Sequence, residues 1–110
     1  MTDTAAQPKL TPTFLKVRDA LTAALERGWV VVPKAPGIAL VRWAEEKPTP
    51  AYVSKSQWPG ETYPESTFVS FVYRDGRVSS AIVDVETKPW MGGRDHRVSV
   101  KAALEILASH

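Results

Sequence analysis

Apolar residues recur at helical spacing in two places along the chain. Phe14, Val17, Leu21, Ala24 and Leu25 stand three or four positions apart and form one stripe. Thr11 precedes them as an N-cap, and Pro12 takes the first helical position, where a missing N–H costs nothing. Leu10 and Leu15 hold the two positions of a hydrophobic staple, and Gly28 is the residue able to end the helix in a left-handed conformation. The spacing predicts a helix over 12–27. A second stripe, Val100, Ala103, Leu104 and Leu107, follows Ser99 as N-cap and predicts a helix to about Ser109.

Between the helices the pattern is that of strands. Residues 29–32 and 38–43 are rich in β-branched and aromatic side chains, and Pro33 with Lys34-Ala35-Pro36-Gly37 separates them as a turn. Residues 67–74 and 77–87 flank Asp75-Gly76, a two-residue turn whose central residues both need positive φ. That turn sets Tyr73 opposite Val78, Phe71 opposite Ser80 and Val69 opposite Ile82. One face of the hairpin then carries Val69, Phe71, Tyr73, Val78 and Ile82, and the other Phe68, Val72, Ala81, Val83 and Val85. Neither face is polar, so both need covering.

Residues 45–65 contain Pro48, Pro50, Pro59, Gly60 and Pro64. They read as a long irregular segment with one short strand at 51–54. Segments of this kind are commonly functional or mobile. This one either wraps the second sheet face with Trp58 or presents Tyr52, Trp58 and Tyr63 as a recognition surface. Residues 88–97 read as a loop, and residues 1–9 as a flexible leader. The expected architecture is an α+β two-layer sandwich, with an antiparallel sheet of about four strands packed against two helices. Its order is helix, strand, strand, long segment, strand, strand, helix, in a single domain over 10–110.

Composition narrows the function by exclusion. The 110 residues include no cysteine, which excludes disulfides, thiolate metal sites, iron–sulfur clusters and cysteine nucleophiles. No apolar run approaches the ~18 residues of a membrane span, and no secretory signal pattern opens the chain. A cytoplasmic protein without a membrane partner is expected. Two histidines, His96 and His110, exclude a three-histidine metal site, and His110 is expected to be mobile. Asp84 and Glu86 are two apart on a strand and would share a face, as an acid/base pair or as a polar strand end. No nucleophile elbow, Walker loop or dinucleotide fingerprint is present. The expectation is a protein that is not an enzyme, with no catalytic residues, no cofactor and no metal.

The formal net charge is only +2, so a basic site must be a local cluster. One stands at Lys88, Arg94, Arg97 and Lys101, opposed by Asp95 and interleaved with Trp90 and Met91. Such a mixture grips phosphate and stacks on bases, or anchors a protein interface. Alternatively Trp90 plugs the gap between the sheet and the second helix. Residues 66–109, a strand, turn, strand, loop and helix, are similar in order to the back of a double-stranded-RNA-binding domain. The resemblance implies phosphate contacts from Arg94, Arg97 and Lys101. The doubled lysines of that family are absent, since the chain reads Val98-Ser99-Val100 there.

The leading expectation is a small accessory or regulatory protein, cellular or phage-encoded. It would bind a protein partner or itself, as a homodimer, through apolar sheet surface and Trp90, Met91, Trp58, Tyr63 and Tyr52. The alternative is a nucleic-acid-binding domain using Lys88, Arg94, Arg97 and Lys101.

Overall fold

The computed structural model describes residues 9–110. The expected leader therefore lies outside the described residues, except for Lys9.

The first helix, α1, spans Pro12–Arg27 and is capped as its sequence dictates. The Thr11 side chain accepts from the Phe14 N–H, and Gly28 closes the helix at φ 117°. The Thr11 N–H also donates to the Gly76 carbonyl at 3.1 Å, which ties the start of the helix to a hairpin tip. Val17 and Ala24 are its buried residues, whereas Leu21, central in the sequence stripe, is half-buried at the rim of the core.

Five strands follow in chain order: β1 (Val30–Val31), β2 (Ile38–Pro48), β3 (Thr62–Arg74), β4 (Arg77–Thr87) and β5 (His96–Val98). Each pairs antiparallel with its neighbours in sequence, giving a five-stranded meander. The last helix, α2, spans Val100–Leu107, and the Ser99 side chain caps it by accepting from the Ala102 N–H. The helices pack on each other and on β3 and β4, all on one side of the sheet. Val17, Ala24, Ala103 and Leu107 close the core from above, against Val41, Val69, Phe71, Ala81, Val83 and Trp29. The fold is thus α+β, with the helices forming one layer and the sheet the other.

The structure departs from the sequence reading at four places. The segment 45–65 is not irregular throughout: Glu45 pairs with Glu65, Lys47 with Tyr63 and Pro48 with Thr62. β2 and β3 therefore continue past the core as a two-stranded arm, and only the tip, 49–61, is loop. The prolines within the paired part stand near its outer end, where a missing ladder donor is tolerated. The expected strand at 51–54 is a single turn followed by a bend instead, with the Val53 N–H donating to the Pro50 carbonyl at 3.1 Å. The loop 88–97 contributes β5, which pairs Val98 with Ala81 and makes the fifth strand.

The hairpin register also differs. Asp75 and Gly76 have φ values of 52° and 76°, as a mirror-image turn requires. Next to the turn Tyr73 faces Val78, but farther along Val72 faces Ser80, Phe71 faces Ala81 and Val69 faces Val83. Ser79 is the extra residue of a β-bulge. The bulge turns Ala81 and Val83 under the helices and Ile82 to the other face.

Candidate functional site

The face of the sheet turned away from the helices is built by this register. Strand side chains alternate, so the residues opposite one another on that face form rows across the strands. One row holds Ile38, Val72 and Ser80, and the next Leu40, Ser70, Ile82 and Arg97. The third holds Arg42, Phe68 and Asp84. Ile38, Leu40, Phe68, Val72 and Ile82 are all half-buried, and none packs on the core beneath the helices. Among the described residues no helix covers them.

Two depressions meet at Phe68. The first, about 280 Å³, lies over Leu40, Val72 and Ile82, with Asp84 and Asp95 at one side and Lys34 at the other. The second, about 470 Å³, runs past Arg42 and Pro64 toward Trp58 and Lys88. Phe68 lies beneath the Arg42 guanidinium, whose carbon is 6.0 Å from the ring centroid, and Arg42 Nε donates to Ser66 Oγ at 2.9 Å. Asp84 is only 9% exposed. Gly93 abuts it so closely that a β-carbon there would come within 2.6 Å of Asp84 Oδ2, so the glycine is what admits the carboxylate. Neither Arg42 nor Asp84 has an ion-pair partner among the described residues.

The aromatic residues expected at a contact surface are placed differently. Tyr63 is 4% exposed, and Trp90 stands edge-on to it with centroids 4.8 Å apart. Trp90 is thereby half-buried as a plug, but against the β2–β3 arm and not between the sheet and α2. The Tyr63 hydroxyl donates to Glu65 Oε2 at 3.1 Å, and burial together with that carboxylate pushes the phenol pKa upward. Trp58 is half-buried and its indole N–H donates to the Thr62 carbonyl at 2.8 Å, folding the arm's tip loop back on itself. Of the expected contact residues only Tyr52 and Met91 are largely exposed, at 75% and 57%.

The basic residues converge only in part: Lys88 and Arg94 line one depression of about 140 Å³ with Met91 and His96. Lys88 pairs with Glu65 at 3.5 Å. Arg97 lies on the helix-free face beside Ile82, while Lys101 is exposed on α2 on the opposite side of the sheet. Arg94 is exposed in the loop before β5. The loop that the double-stranded-RNA-binding resemblance requires ahead of the last helix is partly taken up by β5.

Asp84, Glu86 and His96 border the same depression, but Asp84 and Glu86 do not share a regular strand face. Glu86 has φ 54° and sits at a second register shift, between the Phe68–Asp84 and Ser66–Thr87 pairs, so alternation from Asp84 is broken there. His110 is docked against the fold. Its ring stacks on Trp43 at 5.0 Å and 5°, its Nδ1 lies 3.4 Å from Glu45 Oε1, and its carbonyl accepts from Arg27. Trp43 Nε1 donates to the same Glu45 oxygen at 2.9 Å, and this bond holds the Glu45 carboxyl below the ordinary carboxylate range. The cluster closes the helix layer over the root of the arm. Among the described residues no three His, Asp or Glu side chains converge as a metal set.

No known protein family, curated protein or solved structure matches the chain.

Sequence reasoning expected an apolar sheet surface but missed Ile38, Leu40, Arg42 and Asp84 as members of it. The signal of that surface was present in the apolar residues on both sides of the Asp75-Gly76 hairpin. The contribution of Ile38, Leu40 and Arg42 became visible only with the pairing of β2 to β3.

Proposed function

We propose that this is a non-catalytic interaction protein, accessory or regulatory in role, whose helix-free sheet face docks a protein surface. The observation that carries the reading is the set Ile38, Leu40, Phe68, Val72 and Ile82, half-exposed on a face that no helix among the described residues covers. Soluble domains seldom keep a contiguous apolar patch without an occupant. Charged residues border this one, at Lys34, Arg42, Asp84, Asp95 and Arg97. An apolar centre with a charged margin is the anatomy of a protein interface. Arg97 and Lys101 stand on opposite sides of the sheet, which weighs against all four basic residues forming one phosphate-gripping patch.

Lysine substitutions test the reading. At a dilution where the chain is monomeric, Leu40→Lys and Ile82→Lys should each leave a cooperative thermal transition, with stability changed by less than about 1 kcal/mol. A loss above about 3 kcal/mol, typical of a charge forced into a core, would show that the chain itself covers the face.

A further inference from the structure

Resting on that reading, we infer that the occupant of the face is a second copy of this chain, related by a two-fold axis parallel to β3. The argument is the order of charges in the row Arg42, Phe68, Asp84. A cation stands on β2, an aromatic ring on the central strand β3, and a carboxylate on β4. The cation and the carboxylate both lack an ion-pair partner within their own chain among the described residues. Asp84 therefore offers a carboxylate, and Arg42 a guanidinium, that a partner can engage without breaking an ion pair within the chain.

Two such faces, brought together about an axis lying between them and parallel to the strands, exchange left and right while each row stays level. Arg42 of one protomer then stands opposite Asp84 of the other, and the converse pair forms at the same time. Phe68 meets Phe68 on the axis, and Leu40 meets Ile82. An axis perpendicular to the strands instead keeps each charge on its own side and sets like against like. Aligned packing of two twisted sheets about 10 Å apart is a standard geometry and leaves room for an arginine to span the gap. The interface is isologous, the commonest form of assembly for a single chain. The net charge of +2 opposes it little.

Charge reversal in both halves of the pair tests this. Sedimentation at several concentrations should show wild type in monomer–dimer equilibrium. Arg42→Glu alone and Asp84→Lys alone should each weaken association about tenfold or more, since like charges then meet twice. An equimolar mixture of the two variants should recover a dimer. In that heterodimer the introduced glutamate faces the introduced lysine, and the native Asp84 of one protomer faces the native Arg42 of its partner, so both contacts are attractive. If Asp84→Lys does not melt cooperatively, Asp84→Asn takes its place, since its mixture with Arg42→Glu exchanges two repulsive contacts for one neutral and one attractive contact. A wild type that is monomeric at every concentration overturns the inference. So does a dimer indifferent to both reversals, or variants whose mixture regains nothing. In each of those cases a tolerated Leu40→Lys or Ile82→Lys leaves the docking reading standing with a different protein as occupant, whereas a collapse of those lysine variants removes the docking reading itself.

Discussion

Phe71 lies opposite Ala81 across β3 and β4, one position beyond the residue that the Asp75-Gly76 turn alone would give it. The single extra residue, Ser79, decides which side of β4 enters the core. With it, Ala81 and Val83 lie beneath the helices, at 0% and 5% exposure. Were Ser79 paired in the ladder instead of bulged out, Ser80 and Ile82 would take those places. Ser79 is itself exposed, and its hydroxyl donates to the Val72 carbonyl at 3.2 Å, which helps hold the bulge.

Deletion of Ser79 takes out only the bulged residue and leaves the Val72–Ser80, Phe71–Ala81 and Val69–Val83 pairs as they are, so it is expected to keep the core and change stability by less than about 2 kcal/mol. A urea titration measures this. A loss above about 4 kcal/mol would mean that removing the bulge shifts the pairs beyond it.

The core of the helix layer is centred on Phe71, not on the middle of the α1 stripe. Phe71→Ala should cost about 3–5 kcal/mol, as for a fully buried aromatic. Leu21→Ala should cost about 1–2 kcal/mol, because Leu21 is half-buried and its site opens to solvent. Denaturant midpoints of the two variants, compared at equal slope, check the ranking, and the reverse order would misplace the core.

These residues also mark how far local pattern reaches. The caps at Thr11, Gly28 and Ser99, the length of α1 and the positive φ values of the hairpin turn were all legible, because each depends on a few adjacent residues. The bulge at Ser79 was not, because it is favoured only once the helices demand Ala81 and Val83. The arm was hidden for a related reason. Its strands hold Pro48 and Pro64, which argue against pairing locally, while the Lys47–Tyr63 register is long-range. β5 has three residues, too few to show a period, and Val98 joins the sheet by packing on the core. For the site, the surplus of apolar residues on the hairpin was readable. The row Arg42, Phe68, Asp84 required three strands to be aligned. Trp90 misled because a tryptophan in a basic loop has the composition of a contact residue, whereas its ring is used against Tyr63.

Trp90→Ala should accordingly act on the arm and not on docking. It removes the edge-on contact with Tyr63 and is expected to cost about 1–3 kcal/mol, of which the aromatic pair geometry is about 0.5–1.5 kcal/mol. The self-association constant should stay within about twofold of wild type, since Trp90 lies off the helix-free face. Thermal melting and sedimentation on the same sample separate the two effects. A variant that melts normally and no longer associates would return the Trp90 loop to the interface.

Glu45 gives the molecule a defined acid sensitivity. The indole N–H of Trp43 is the main cause that lowers its pKa from the ordinary 4.5, with Lys47 and His110 adding to it and burial opposing. A carboxyl whose folded pKa is lowered contributes stability above its ordinary value and loses it as the pH falls through the lowered one. Melting temperature should therefore decline below about pH 4.5 in wild type, and Glu45→Gln should flatten that decline. Parallel pH profiles of the two proteins would contradict the Trp43–Glu45 bond as a source of stability.

The central claim, that the apolar face away from the helices is open for docking, is tested most directly at Phe68. Hydroxyl-radical oxidation, read by peptide mass spectrometry at a dilution where the protein sediments as a monomer, compares Phe68 with Phe71, which is 0% exposed. The account predicts that Phe68 is oxidised well faster than Phe71 at that dilution and becomes protected as concentration rises and dimers form. Phe68 as inert as Phe71 in the monomer would contradict it, because the face would then be covered by the protein's own chain.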